Sequence, residues 1–171
     1  MNARAFDPDS PKVRKLREQV TSPLKLALFM GMKLPLGLLA GLKVTHVDAE
    51  SCSVTVRYRW MTTNPFRSTY FAALAMAAEM STGTLGLSLV QAAPEPVSIL
   101  IVGMTGSFVK KATDVTTFTC ADGQKIQDAV MEALATGEGV TVETETIGLN
   151  KAGDEVARFT FTWSFKKKTK R

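Results

Sequence analysis

Between Arg67 and Glu95 the chain carries a single charged residue, Glu79, in the middle of an Ala-rich apolar run from Thr69 to Val90. A run of this length has to leave water. It approaches the length of a membrane span, but Glu79, Gly83, Gly86 and the hydroxyls of Ser81, Thr82, Thr84 and Ser88 interrupt it. A buried core helix from about Thr69 to Leu89, stopping before Pro94 and Pro96, accounts for it better. A lone carboxylate inside such a helix must be desolvated, which raises its pKa unless donors surround it, and that is the usual preparation of a catalytic base. Glu79 is therefore the first candidate for chemistry. Its structural alternative is a carboxylate that caps a neighbouring helix or forms a buried ion pair with Arg57 or Arg59.

The chain has 171 residues, the length of one ordinary domain with one core. Its formal charge of +5 is located in the tail: Lys166, Lys167, Lys168, Lys170 and Arg171 supply five positives, and residues 1–165 hold 16 basic and 16 acidic groups. A neutral body with a short basic end argues against dedicated nucleic-acid binding, which needs a basic face. A six-residue tail without an amphipathic helix also makes no stable membrane anchor. Cys52 and Cys120 have neither metal-ligand spacing nor a disulfide framework around them, which fits a reducing cytosol. One histidine, His46, rules out a His-cluster metal centre, and as a lone strand residue it is a weak candidate for a base. The N-terminus shows no secretory pattern, so a cytoplasmic protein is expected.

Ser10-Pro11 and Ser22-Pro23 each place a capping residue before a first-turn proline, predicting helices from about Pro11 to Val20 and Pro23 to Met32. Leu24 to Leu42 is hydrophobic, but Lys25, Lys33 and Pro35 break it into helix starts. The period then changes to two: a strand from about Leu42 to Val47 turns at Asp48–Ser51 into a second, with Cys52, Val54, Val56, Tyr58 and Trp60 on its buried face. After the long helix come strands at about Val97 to Val109, Asp114 to Cys120, Gly139 to Ile147 and Val156 to Phe165. Phe159, Phe161, Trp163 and Phe165 share the buried face of the last. Asp122 caps a helix from about Gly123 to Ala135 with Gly137 after it, and Asn150–Asp154 with Gly153 suits a hairpin turn. The economical packing of this order is α+β, a curved antiparallel sheet wrapped around the long helix.

That element order, over roughly residues 36 to 165, resembles the hotdog fold. The segment from Trp60 to Glu79 sharpens the resemblance, since it is similar to the active-site segment of phenylacetate-pathway-type acyl-CoA thioesterases. There an Asn precedes the helix, a His-Gly-Gly turn opens it, and an acid follows two turns in. Asn64 and Glu79 keep the fifteen-residue spacing, whereas the turn reads Tyr70-Phe71-Ala72. The whole chain looks most like a largely uncharacterised thioesterase subgroup of that superfamily: one hotdog domain with an N-terminal helical extension (about 1–35) and a basic tail (166–171).

The resemblance implies hydrolysis of a fatty or aryl acyl thioester, with coenzyme A as part of the substrate and no further cofactor or metal. Glu79 would act as general base or nucleophile, and Asn64 would position water or the carboxylate. The Phe71 backbone N–H, at the helix N-terminus, would hold the oxyanion, and Ser98 would contact the carboxylate. Tyr70 and Ala72 would shape the substrate pocket; Arg67, Lys110 and Lys111 would meet coenzyme A phosphates. A homodimer is implied, with Asn64 of one protomer facing Glu79 of the other, and tetramers are left open. Loss of the glycine turn favours the alternative, a non-catalytic hotdog module that binds an acyl chain or lipid. A dehydratase is disfavoured because His46 is badly placed for a His–acid pair.

Overall fold

The computed structural model describes residues 6–169. Three helices open the chain: α1 (Pro11–Thr21), α2 (Pro23–Lys33) and α3 (Pro35–Ala40). Proline begins each, and Ser10 Oγ accepts the Val13 N–H at 3.4 Å as a true N-cap, whereas Ser22 makes no such bond. α3 was not expected; six residues are too few to show a helical period. Gly41, with φ of 70°, ends α3 in the left-handed conformation and releases the chain into the sheet.

The sheet has six antiparallel strands, β1 (Lys43–Val47), β2 (Cys52–Arg57), β3 (Val97–Phe108), β4 (Val115–Cys120), β5 (Val140–Leu149) and β6 (Glu155–Lys167), in the order β1-β2-β4-β5-β6-β3. α4 (Phe71–Ala92) follows β2 and packs across the sheet, and α5 (Gly123–Thr136) lies beside it between β4 and β5. This is the hotdog architecture anticipated from the element order. The apolar run is thus a core helix, with Ala73, Leu74, Ala77, Ala78, Leu85 and Leu89 buried. Phe159, Phe161, Trp163 and Phe165 meet it from β6, joined by Phe118, Val54 and Val56. Burial of side chains this large contributes about 1.5–3 kcal/mol each, which makes the helix–sheet contact the main stabilising layer.

Several boundaries differ from the sequence reading: α4 starts two residues later than Thr69 and runs three past Leu89, β5 runs two past Ile147, and two others have a visible cause. β2 ends at Arg57, and Trp60, expected on its buried face, is 84% exposed in a 3₁₀ turn (Trp60–Thr62). The buried Thr62 hydroxyl causes this by donating to the Arg57 carbonyl at 2.7 Å and accepting the Arg59 N–H at 3.1 Å, which turns the chain off the strand. β6, in contrast, runs two residues into the expected tail. Lys166 and Lys167 pair with β3, Lys167 Nζ meets Glu95 at 2.8 Å, and the Lys168 N–H reaches the Pro96 carbonyl. Lys170 and Arg171, like residues 1–5 of the helical extension, lie outside the described residues.

The turns match their sequence signals. Asp48 holds the β1–β2 hairpin by accepting the Glu50 and Ser51 N–H groups, and Asn150 holds β5–β6 by accepting those of Ala152 and Asp154. Asp122 stands at the N-cap of α5, but its carboxylate is engaged elsewhere, on the Glu145 N–H at 2.7 Å and Lys125 Nζ at 2.8 Å. Gly123 fits there because a Cβ would lie 2.1 Å from the Ala49 carbonyl oxygen.

Candidate functional site

α4 is anchored at its start by backbone bonds: the Thr69 N–H reaches the Ala112 carbonyl at 2.7 Å, and the Tyr70 N–H reaches that of Thr62 at 2.7 Å. The helix then lacks a side-chain cap, and among the described residues no acceptor takes the N–H groups of Phe71 and Ala72. Two donors at the positive end of a 22-residue helix are left for an anion or oxyanion. The groove in front of them has a volume of about 380 Å³ and is lined by Asn64, Phe71, Phe108, Lys110 and Lys111 among others. Four of the residues predicted from the sequence thus converge at the helix N-terminus.

Asn64 builds the loop that leads there. Its Oδ1 accepts the Phe66 N–H at 2.9 Å and the Ser68 N–H at 3.2 Å, while Nδ2 donates to Ser68 Oγ and the Thr69 carbonyl. These bonds hold Arg67 at φ of 58°, a conformation that a non-glycine residue adopts only when its surroundings impose it. Arg67 itself is exposed, Lys110 pairs with Asp154 at 2.5 Å, and Lys111 Nζ donates to the Phe66 carbonyl at 3.3 Å. Aromatic rings run in a line from the mouth into the core: Tyr70 and Phe71 centroids are 4.9 Å apart, Phe71 and Phe108 6.4 Å, Phe108 and the buried Phe159 5.5 Å. Large side chains stand where the resemblance has glycines.

Glu79 lies two turns further along α4, half-buried, its carboxylate without a hydrogen bond or ion pair among the described residues. Burial pushes its pKa up. Neither Arg57 nor Arg59 comes to it; Arg59 instead donates to the Leu39 carbonyl. Its neighbours are Gly83 and Trp163: a Cβ built on Gly83 would be 3.0 Å from Glu79 Oε1 and 3.2 Å from Trp163 Cη2. The indole N–H donates to Thr82 Oγ1 at 3.1 Å, which fixes the ring beside Gly83. The sequence placed Trp163 in the core without seeing that its ring flanks Glu79. A small residue four positions after an isolated acid was the available signal.

The remaining candidates stand elsewhere. Ser98 is exposed at the start of β3, donating to the Lys166 carbonyl at 3.0 Å; its neighbour Ile99 points to α4 at Gly86, so Ser98 faces away from the helix. His46 is exposed on β1 and bonded to Asp48 at 2.9 Å, which makes it a satisfied surface residue. Cys52 and Cys120 are free thiols, fully buried, and stand opposite each other on β2 and β4. Burial raises them to about 12 and about 11. No cluster of three metal-ligating side chains occurs among the described residues.

A family profile described as a domain of unknown function, DUF4442, matches residues 25–165, which include α4, the whole groove and Trp163. The chain belongs to the DUF4442 family. No curated protein matches it. Among solved structures, this DUF4442 chain is similar to PA5026 from Pseudomonas aeruginosa, a protein of unknown function described as a probable thioesterase. The two are 18% identical with a TM-score of 0.71, over 88% of this chain and 99% of that one. It also resembles thioesterase HI1161 from Haemophilus influenzae (10% identity, TM-score 0.64, 89% and 95% covered) and a mutant of thioesterase PA1618 from P. aeruginosa (12%, 0.64, 96% and 100%). At these identities the likeness establishes the fold of the DUF4442 chain.

Proposed function

We propose that the protein hydrolyses a fatty or aryl acyl thioester of coenzyme A, with Glu79 as general base or nucleophile and the Phe71 backbone N–H as oxyanion donor. The observation that carries this reading is Glu79 itself: a partnerless carboxylate in an apolar helix, its pKa raised by burial toward the range in which a carboxylate is an effective base. The thioesterase names carried by its structural neighbours support it. Residues eight apart on a helix stand about 12 Å apart along its axis, so Phe71 and Glu79 of one chain cannot touch the same carbonyl. A homodimer that brings the Phe71 amide and the Asn64 loop of one protomer to Glu79 of the other resolves this. Lys110, Lys111 and Arg67, around the groove, would then receive the phosphates, and Tyr70, Ala72 and Phe108 would bound the acyl entrance.

The second reading, a module that binds an acyl chain without cleaving it, is favoured by the Tyr70-Phe71-Phe108 rings across the mouth and by Asn64, whose amide is already engaged in its own loop. Thiol release from short, medium, long and aryl acyl-CoA substrates, with wild type beside Glu79→Gln, separates the two. Turnover that disappears in the variant while its fold persists assigns the catalytic carboxylate. Absence of turnover on every substrate, with acyl ligands still raising the melting temperature, leaves the binding module.

A further inference from the structure

We propose that α2 and α3 form an interfacial face that seats the protein on the surface of an anionic phospholipid bilayer. Both sides of this helical pair are apolar. Leu26 and Met30 point inward and are buried, while Leu24, Leu28, Met32 and Leu36 point outward and are 61–75% exposed, with Phe29 and Leu39 beside them. A soluble helix ordinarily shows its polar face to water; here the outer stripe at i, i+4 and i+8 is Leu24, Leu28 and Met32.

Charge selects the partner. From Ser10 to Val47 the chain holds seven basic residues and one acid, Glu18, although the body as a whole is neutral; of the seven, Arg17 is paired with Asp9. Lys25 and Lys33 flank the outer stripe, exposed and without an ion pair among the described residues. Long lysine stems lie along an apolar surface and keep their ammonium groups at the level of lipid phosphates. The next acid, Asp48, is already engaged by the β1–β2 turn and by His46.

Length decides the mode of contact. At 11 and 6 residues, α2 and α3 extend about 16 and 9 Å, well short of the roughly 30 Å hydrocarbon core, and Pro35 separates them. They can lie in the interface plane and cannot cross it. A second copy is the less suitable occupant, because the pair packs by β1, at the opposite edge of the sheet from β3 and about 24 Å away along it. Dimerisation through the β3 edge would leave this face open.

The test is flotation of the purified protein with vesicles of phosphatidylcholine and phosphatidylglycerol in equal parts, against vesicles of phosphatidylcholine alone. Wild type is expected to float with the anionic vesicles and to be released by salt. Lys25→Gln with Lys33→Gln should lower partitioning by about five-fold per charge, and Leu28→Asn with Met32→Asn should abolish flotation with the melting temperature unchanged. Wild type that stays in the lipid-free fraction with both vesicles overturns the proposal, as does flotation that the substitutions leave intact. A fall in solution mass of the Leu28→Asn, Met32→Asn variant would place a second copy on this face and also overturn it. The lysine variant, which changes only solvated groups, keeps the test decisive if the apolar one does not fold.

Discussion

Replacing Glu79 by Gln should make the protein more stable and less active, and the stability gain should depend on pH in one particular direction. Burial raises the folded-state pKa of Glu79 above the ordinary value of 4.5. The folded protein therefore holds this proton to a higher pH than the unfolded chain does. Below about pH 4 both states are protonated and wild type has its full stability; as pH rises through the folded pKa, the carboxylate must ionise beside Gly83 and the Trp163 ring with no donor, and stability is lost. Each tenfold upward displacement of the acid constant corresponds to about 1.4 kcal/mol. Gln has nearly the shape of the protonated acid and no titration. The difference between variant and wild type should thus vanish at low pH, grow as pH rises through the folded pKa and level off above it, on the order of 1 kcal/mol for an unpaired polar group taken from water, or about 3 °C in melting temperature for a chain of this size. Urea unfolding of both proteins at equal concentration, at about pH 4 and about pH 8, measures it. If the two stability curves run parallel with pH, or if Glu79→Gln destabilises at about pH 8, Glu79 has stabilising donors and the catalytic argument fails with it. Under the proposed hydrolysis, activity of the variant should fall by about 10²–10⁴.

Gly83→Ala adds a methyl 3.0 Å from Glu79 Oε1 and 3.2 Å from Trp163 Cη2. Its helix propensity gain of about 1 kcal/mol should cancel most of the crowding, so that melting moves little while turnover drops at least tenfold. Asn64→Ala removes the bonds that hold Arg67 at positive φ and should lower stability by about 1–3 kcal/mol; Arg67→Gly in the same background should recover part of it, as calorimetry can show. Cys52 and Cys120, raised to about 12 and about 11 by burial, should not react with a thiol reagent at neutral pH until denaturant is added, when both should react together; rapid labelling of either in the native protein would contradict their burial.

The parts of the fold legible in the sequence were those with a strong apolar run or a clear alternation. The apolar run could only be a covered helix, the alternation from Val156 to Phe165 only a one-faced strand, and both stand where expected. Hairpins marked by Asp48 and Asn150 were equally plain, because their side chains supply the turn's hydrogen bonds locally. What the sequence misplaced depended on one hydrogen bond or on the facing of one strand. Trp60 continued the β2 alternation without a break, and only the Thr62 hydroxyl takes it off the strand. Ser98 sat at a plausible distance along the chain, but β3 turns it away from α4, and strand facing cannot be fixed to one residue from spacing alone. Glu79 was legible because an isolated charge in an apolar run has no cheap explanation. The flank provided by Trp163 was not, since a residue so distant in the chain reaches it only through the β6–α4 packing.

The edge strand β3 gives the proposed two-protomer site its sharpest test. Ile99, Ile101, Met104, Gly106 and Phe108 lie on its helix-facing side: Ile99 meets Gly86, and the Phe159 ring covers Gly106. Met104 and Phe108 nevertheless remain 54% and 51% exposed, because β3 stands at the sheet's edge beyond the cover of α4. A twelve-residue edge strand with an apolar inner face invites pairing with another strand. In a two-fold pair through β3, Met104→Lys would lose about 0.8–1.5 kcal/mol of burial in each protomer, since only the exposed half of Met104 is left to cover, and add two like charges, weakening association by at least about 10 to 10² in Kd. Sedimentation should find a monomer that melts nearly as wild type does, since Met104 is half-exposed in the single chain. Thioester turnover should vanish with the dimer, because the Phe71 amide and the Glu79 carboxylate of one chain are about 12 Å apart along the helix. A monomeric variant that kept its activity would refute the two-protomer site, and an undiminished dimer would place the contact on another surface.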